Sequence, residues 1–79
     1  MRLETGELRT FHTLARTGGF RAASKELFLT QSAVSQSIKQ LEAKLGQPLV
    51  TRDRPIKLTA AGRRLYRYAD DVLRQEQLV

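Results

Sequence analysis

Residues 30–46 read TQSAVSQSIKQLEAKLG, and most of the fold follows from how this stretch is bounded and patterned. Thr30 suits a helix N-cap, because its hydroxyl oxygen accepts from a first-turn amide that has no partner inside the helix. Gly46 tolerates the left-handed conformation that ends a helix, and Pro48 follows two residues later. The spacing therefore predicts one helix from Gln31 to about Leu45. At about 100° per residue, Val34, Ile38, Leu41 and Leu45 fall on one narrow stripe, the core face. Ser32, Ser35, Gln36 and Lys39 cluster on the opposite side, with Gln31 nearer its edge. No acid lies among them, and Glu42 and Lys44 flank the later turns.

That outer face suits the major groove of DNA. A Gln amide both donates and accepts, which matches the N6 and N7 groups of adenine. Serine is small and lets the helix lie deep, and lysine reaches guanine or a phosphate. A helix that is only solvated more often mixes Glu and Lys at i,i+4 spacing. Taken singly, each Gln or Ser is as readily a solvated residue; the face as a whole carries the reading.

The flanking segments fit around this helix. Before it, a short helix from about Arg21 to Phe28 turns Phe20, Ala23 and Leu27 inward, and the small Ala22 and Ala23 allow close helix approach. Leu29-Thr30 interrupts. A first helix from about Thr5 to Arg16 places Leu8, Phe11 and Leu14 or Ala15 on one stripe. Thr5 is its expected N-cap, Glu7 sits near its positive end, and Gly18-Gly19 stops it. After Gly46, Val50, Thr51 and Ile56 surround the turn-like Asp53-Arg54-Pro55, which predicts two short strands in a hairpin over Leu49–Thr59. Thr59 can cap a fourth helix that runs to the end of the chain. Gly62 in its first turn lowers helix propensity, so small size for close packing is its expected role. Leu58, Leu65, Val72 and Val79 recur every seven residues, with Ala61 and Tyr68 between them. That heptad seam is expected to pair with a second copy; the alternative is one amphipathic helix lying on its own domain.

Helix, short turn, helix with an exposed polar face is the helix-turn-helix plan, and the hairpin makes it winged. Arg52 and Arg54 would project from the wing, where arginine suits the concentrated negative potential of a minor groove. The bland reading is a solvated hairpin with Arg52 paired to Asp53 or Glu42. The predicted fold is mainly α: a three-helix core with a β-hairpin wing over residues 1–58, then a long linker and dimerisation helix over 59–79.

Composition agrees. Seventy-nine residues make one small domain, and Lys+Arg 14 against Asp+Glu 8 gives +6. From Arg52 to Arg67 there are six basic residues and one acid, the footprint expected for a polyanion. The chain has no cysteine, which removes disulfides, thiolate catalysis and Cys-ligated zinc, and one histidine, His12, which removes His-cluster metal sites. His12 is assigned no chemistry. No metal, no cofactor and no catalytic activity is expected in a chain too short for a walled cleft. No apolar run approaches the roughly 18 residues of a membrane span, and the N-terminus lacks an apolar signal core. A cytoplasmic, nucleoid-associated setting is expected. Two rival binding modules remain: one that meets an acidic protein, and one that binds double-stranded RNA. The second is disfavoured because a helix cannot read the deep, narrow major groove of A-form RNA. Tyr66 and Tyr68 are assigned to packing on the fourth helix rather than to base stacking.

The run GGFRAASKELFLTQSAVSQSIKQLEAKLGQPLVTR followed by LTAAG resembles the N-terminal DNA-binding domain of LysR-type bacterial transcriptional regulators, from about Leu8 to Gly62. The resemblance implies a winged helix-turn-helix and a linker helix pairing antiparallel with that of a second copy, so that two recognition helices face successive major grooves of an inverted-repeat promoter site. Carried over residue by residue, Gln31, Ser32, Ser35 and Gln36 match base-reading positions. Thr30 and Lys39 match backbone-contacting neighbours, and Arg52 and Arg54 match wing positions, with Pro55 beside them in the wing; apart from the resemblance, the helix N-terminus near Arg21 is expected to hold a phosphate of the DNA backbone through its free N–H groups. Leu58, Ala61, Leu65, Tyr68 and Val72 fall to dimerisation. Between Leu49 and Thr59 the chain is one residue shorter than the family pattern, and Val50 stands where Phe is usual. Family members are usually several times longer and sense a small-molecule effector through a C-terminal domain; this chain is expected to be the DNA-binding part alone.

Overall fold

The computed structural model describes residues 2–77. Four helices follow in order: α1 (Thr5–Thr17), α2 (Phe20–Leu27), α3 (Gln31–Leu45) and α4 (Ala60–Gln77). They enclose one aliphatic core. Leu8, Phe11 and Leu14 of α1 meet Ala23 of α2, Val34, Ile38 and Leu41 of α3, Leu49 after α3, and Leu65 and Ala69 of α4. Phe11 is fully buried and is the only aromatic side chain of that buried set. Thr10, Thr13 and Ser24 are also buried; the Thr10 and Ser24 hydroxyls donate to the carbonyls of Gly6 (2.9 Å) and Arg21 (2.8 Å). Among the described residues no buried side-chain polar atom lacks a partner, which is how a small core avoids the cost of desolvated donors.

α3 begins and ends where its sequence predicts. The Ala33 amide donates to Thr30 Oγ1 at 3.0 Å, and Gly46 closes the helix at φ 69° with its amide on the Glu42 carbonyl. α1 differs at its start. Glu4, not Thr5, is the N-cap, and its amide donates to the Glu7 carboxylate at 3.1 Å. This is half of a reciprocal box, and it draws Glu7 into capping rather than a general dipole interaction. α2 starts one residue earlier than expected and stops at Leu27. Phe28 is its C-cap, in the left-handed region at φ 58°, which frees the Leu29 amide to bond the Ser24 carbonyl at 3.0 Å.

The wing corrects the sequence reading most. Where the pattern predicts two strands, one antiparallel bridge forms among the described residues, Val50 to Leu58, with the Thr51 amide on the Lys57 carbonyl at 2.8 Å. The ladder stops because its donors are engaged elsewhere. Thr51 Oγ1 accepts from the amides of Lys57 (3.1 Å) and Asp53 (3.4 Å). The Ile56 amide leaves the ribbon and donates to the Gly18 carbonyl at 2.9 Å. The wing is thus a bent loop moored to the α1–α2 turn.

Its base is tied on the other side. Thr59 Oγ1 donates to the Pro48 carbonyl (2.7 Å) and accepts from the Gly62 amide (3.0 Å), so Thr59 serves as the expected cap of α4. A Cβ built on Gly62 would lie 2.1 Å from the Leu49 carbonyl oxygen. The glycine is therefore a packing requirement, as its cost in helix propensity implied.

α4 lies along α1. Leu65 is buried, and Leu58, Ala61 and Val72 are half-buried against the same core. The heptad stripe thus faces the chain's own core for most of its length, because α1 offers the apolar stripe it needs. Tyr68, 52% exposed, is the large member left outside; Val79 lies outside the described residues. Polar ties reinforce the contact. His12 Nε2 sits 2.9 Å from Asp70 Oδ1, its ring stacks on Tyr66 at 4.6 Å between centroids, and Arg9 donates to Glu76 at 2.8 Å. Asp70 also accepts from Arg74.

These ties make a pH prediction. The hydrogen bond from His12, and then that from Arg74, hold the Asp70 carboxyl below the usual carboxylate range, against a small opposing effect of burial. A carboxyl depressed in the folded state stabilises the fold above its unfolded pKa, and the contribution disappears as pH falls through its folded value. Stability should therefore decline below about pH 4. Urea midpoints measured against pH should fall less steeply there in Asp70→Asn than in the parent; parallel curves would remove Asp70 from the acid response.

Candidate nucleic-acid interface

The outward side of α3 is set by its inward side. With Val34, Ile38 and Leu41 buried, Gln31, Ser32, Gln36 and Lys39 are exposed and Ser35 is partly so. Thr30 is exposed as well; its hydroxyl oxygen accepts the cap bond from Ala33 and its proton is left free to donate outward. The two charged residues flanking the later turns are drawn away from this face. Glu42 Oε2 accepts from the Leu49 amide at 2.7 Å. Lys44 Nζ reaches Glu7 Oε1 at 2.7 Å and the Arg2 carbonyl at 2.9 Å. Glu7 is consequently held as a carboxylate: burial raises its pKa, but the Lys44 hydrogen bond, the Glu4 amide and the Lys44 charge together lower it below the ordinary value. Neither tie was visible in the sequence: Lys44 and Glu7 lie far apart along the chain, and the Glu42–Leu49 bond spans the chain reversal after Gly46, where helical spacing no longer fixes which residues meet.

The N-terminal half of that face forms the floor of an open groove of about 800 Å³. Gln31, Ser32 and Ser35 line it from α3, Arg21 and the Gly18–Phe20 turn from one side, and Arg52, Asp53, Arg54 and Ile56 from the wing. Arg21, Gln31, Ser32, Ser35, Arg52 and Arg54 are therefore brought together as the sequence reading required. Gln36 and Lys39 are exposed on the same helix beyond the groove. Pro55 is exposed too, and it has a positioning part. A Cβ on Gly18, which stands at φ +82°, would come 3.2 Å from Pro55 Cβ, so the wing rests directly on that turn.

Ion pairing separates the cations of this groove from others of the chain. Arg2, Arg9, Arg16, Lys44 and Arg74 are neutralised by Glu4, Glu76, Glu26, Glu7 and Asp70. Among the described residues Arg21, Lys25, Lys39, Arg52, Arg54, Lys57, Arg63, Arg64 and Arg67 join no ion pair. Arg52 is thus paired with neither Asp53 nor Glu42; Asp53 accepts from Thr51 Oγ1 at 3.2 Å instead. The acids are concentrated in ties between elements, whereas the three cations that line the groove, Arg21, Arg52 and Arg54, are all free. Among the described residues no three His, Asp or Glu side chains gather as a metal-binding set. No helix among them is long and apolar enough to cross a membrane.

Known proteins resemble this chain in sequence and in fold. The chain is 48% identical over 77 residues to the HTH-type transcriptional regulator HdfR of Yersinia enterocolitica, covering 96% of this chain and 26% of that protein. It is 49% identical over 72 residues to HdfR of Escherichia coli strains. The chain thus spans about a quarter of the length of these curated relatives. Among solved structures, BenM_DBD in its complex with catB site 1 DNA superposes with a TM-score of 0.92 at 32% identity, covering 96% of this chain and 86% of that one. The CbnR_DBD–DNA complex gives 0.88 at 34% identity, covering 95% and 87%. Residues 5–63, from the start of α1 into α4, match the model of the bacterial regulatory helix-turn-helix proteins of the lysR type, and the chain belongs to that family.

Proposed function

We propose that this chain is the DNA-binding domain of a LysR-type transcriptional regulator, a winged helix-turn-helix over residues 1–58 and a linker helix over 59–79. The observation that carries this is the groove in which Gln31, Ser32 and Ser35 lie between the unpaired Arg21 and the unpaired wing arginines. α3 enters the major groove of double-stranded DNA, with Gln31, Ser32, Ser35 and Gln36 on base edges. Thr30, Arg21 and Lys39 hold the flanking phosphates, and Arg52 and Arg54 enter the adjacent minor groove. The division of labour is physical: cations on phosphates supply most of the affinity and a steep salt dependence, and amide and hydroxyl groups on base edges supply sequence choice. Two copies joined through α4, with Ala61, Tyr68 and Val72 at the accessible edge and Leu58 and Leu65 behind them, read an inverted repeat in a promoter. The setting is the bacterial cytoplasm at the nucleoid. The effector acts through a domain outside this chain, and no catalytic step or cofactor is involved.

Selection of bound duplexes from a random library tests the reading, with enrichment of a two-fold symmetric motif expected. Failure to enrich any motif, or equal retention of double-stranded RNA, would overturn it. Gln36→Ala should weaken binding to the selected site by about 1–3 kcal/mol and binding to random duplex far less. Equal losses in a fluorescence-anisotropy titration would remove Gln36 from the reading face.

A further inference from the structure

We propose that Asp53, at the tip of the wing, is a specificity-determining residue. Its carboxylate accepts from the N2 amino group of a guanine in the minor groove, so the wing selects a G·C pair where its arginines alone would favour A·T. This rests on the DNA-binding reading above and specifies what the wing reads. Among the described residues Asp53 is the one acid that lines the groove. An acid there is costly on a polyanion, because it repels the phosphates that the groove cations attract. It is exposed and stands between Arg52 and Arg54 in sequence, yet it forms an ion pair with neither. Glu4, Glu7, Glu26, Asp70 and Glu76, by contrast, each neutralise a cation.

The tip holds this carboxylate in place. Thr51 Oγ1 donates to Asp53 Oδ2 at 3.2 Å and accepts from the amides of Asp53 (3.4 Å) and Lys57 (3.1 Å). Asp53 is thus tied back to the root of the tip rather than to a guanidinium, and among the described residues its other oxygen, Oδ1, accepts no hydrogen bond. The chemistry of a minor groove then leaves one partner. An ionised carboxylate only accepts. An A·T pair shows nothing but acceptors on its minor-groove edge, adenine N3 and thymine O2, and the one donor on any such edge is the guanine N2 amino group. Against A·T, Asp53 meets acceptors and the strong negative potential of a narrow groove. Against G·C it gains a charge-assisted bond from the amino hydrogen that base pairing leaves free. Arg52 and Arg54 act in the opposite sense, since a narrow A·T groove attracts them. The cations bring the wing to the duplex, and the acid between them decides which base pair it accepts.

The test uses the 79-residue chain and the duplex enriched from the random library, titrated by fluorescence anisotropy at fixed salt. The enriched motif should carry a G·C pair in the minor-groove segment beside each half-site. Guanines of that segment are replaced one at a time by inosine, which lacks the N2 amino group and keeps the major-groove edge. One replacement should weaken the parent about fivefold or more, and Asp53→Ala by no more than about twofold. This series needs no change in the protein for its main result, so it does not depend on how a variant folds. Exchanging the same pair for A·T should cost the parent about tenfold, and 2,6-diaminopurine in place of that adenine, which restores the amino group, should recover most of the loss. Asp53→Asn keeps an oxygen for Thr51 and for guanine but adds a donor suited to adenine N3 or thymine O2. It should narrow the preference for G·C to about threefold or less. A segment enriched in A·T alone, a parent indifferent to inosine, or a preference unchanged in both variants would overturn the role of Asp53 and leave the DNA-binding reading intact. Enrichment of no motif at all would overturn both.

Discussion

Gly62→Ala is expected to lower the melting temperature by roughly 15 °C. On an exposed helix the same change stabilises by about 1 kcal/mol, because alanine is the better helix former. Here the sign reverses. The new methyl would stand 2.1 Å from the Leu49 carbonyl oxygen and 3.1 Å from its carbonyl carbon. Both are backbone atoms, and that carbonyl also accepts from the Thr59 amide at 3.0 Å, so it cannot swing aside without breaking the base of the wing. Fully buried Leu49 would have to move with it. Overpacking of this kind costs about 3 kcal/mol, a large share of the total stability, about 4–12 kcal/mol, of a domain this size. At roughly 5 °C per kcal/mol for such a domain, a thermal scan followed by circular dichroism resolves it easily. A variant that melts at or above the parent temperature would mean that α4 does not approach Leu49 this closely.

The second large effect is on binding. Replacing Arg52 and Arg54 together by Ala should weaken DNA binding by about 2–3 kcal/mol, with each charge-assisted contact contributing about 1.5 kcal/mol. It should also flatten the dependence of log K on log salt by about 1.8, since each cation that neutralises a phosphate contributes about 0.9 to the slope. The fold should be untouched. Neither guanidinium joins an ion pair among the described residues, and the wing is held by the main chain of Thr51, Ile56 and Thr59. Titrations at several salt concentrations check both numbers at once. An unchanged slope would place both arginines off the polyanion, and an altered melting temperature would give them a structural part that their exposure contradicts.

The elements that sequence specified well are those written in local chemistry. Thr30, the 3.6-residue spacing of Val34, Ile38 and Leu41, and Gly46 act within a few residues of one another, so the reading helix was legible end to end. Gly62 was legible because a glycine in a first turn costs helix propensity and needs a reason. The wing was not, because whether a strand extends depends on donors claimed from a distance: the Gly18 carbonyl takes the Ile56 amide, and no pattern in residues 49–59 announces it. The same holds for Lys44 on Glu7, and Glu42 meets the Leu49 amide only because the chain reverses between them. His12 had no readable role because its partners, Tyr66 and Asp70, are set by how α4 lies on α1. The heptad stripe was legible as apolar but not as to which surface it meets. Period alone does not distinguish a helix lying on its own domain from one lying on a copy. Side-chain type and helical phase placed Gln31, Ser32, Ser35 and Gln36 on the outer side of α3, whereas the grouping of Gln31, Ser32 and Ser35 with Arg21 and the wing arginines required the tertiary fold.

The mooring of Ile56 to Gly18 separates scaffold from cargo. Because carbonyl and amide make that link, whatever stands at positions 52–54 is carried to the same place. Drift, or a laboratory library confined to those three codons, can therefore change the charge offered at the loop tip while the hydrophobic interior is left undisturbed. On the function proposed above, an otherwise identical chain would in this way tighten or loosen its hold on duplex without rebuilding its interior.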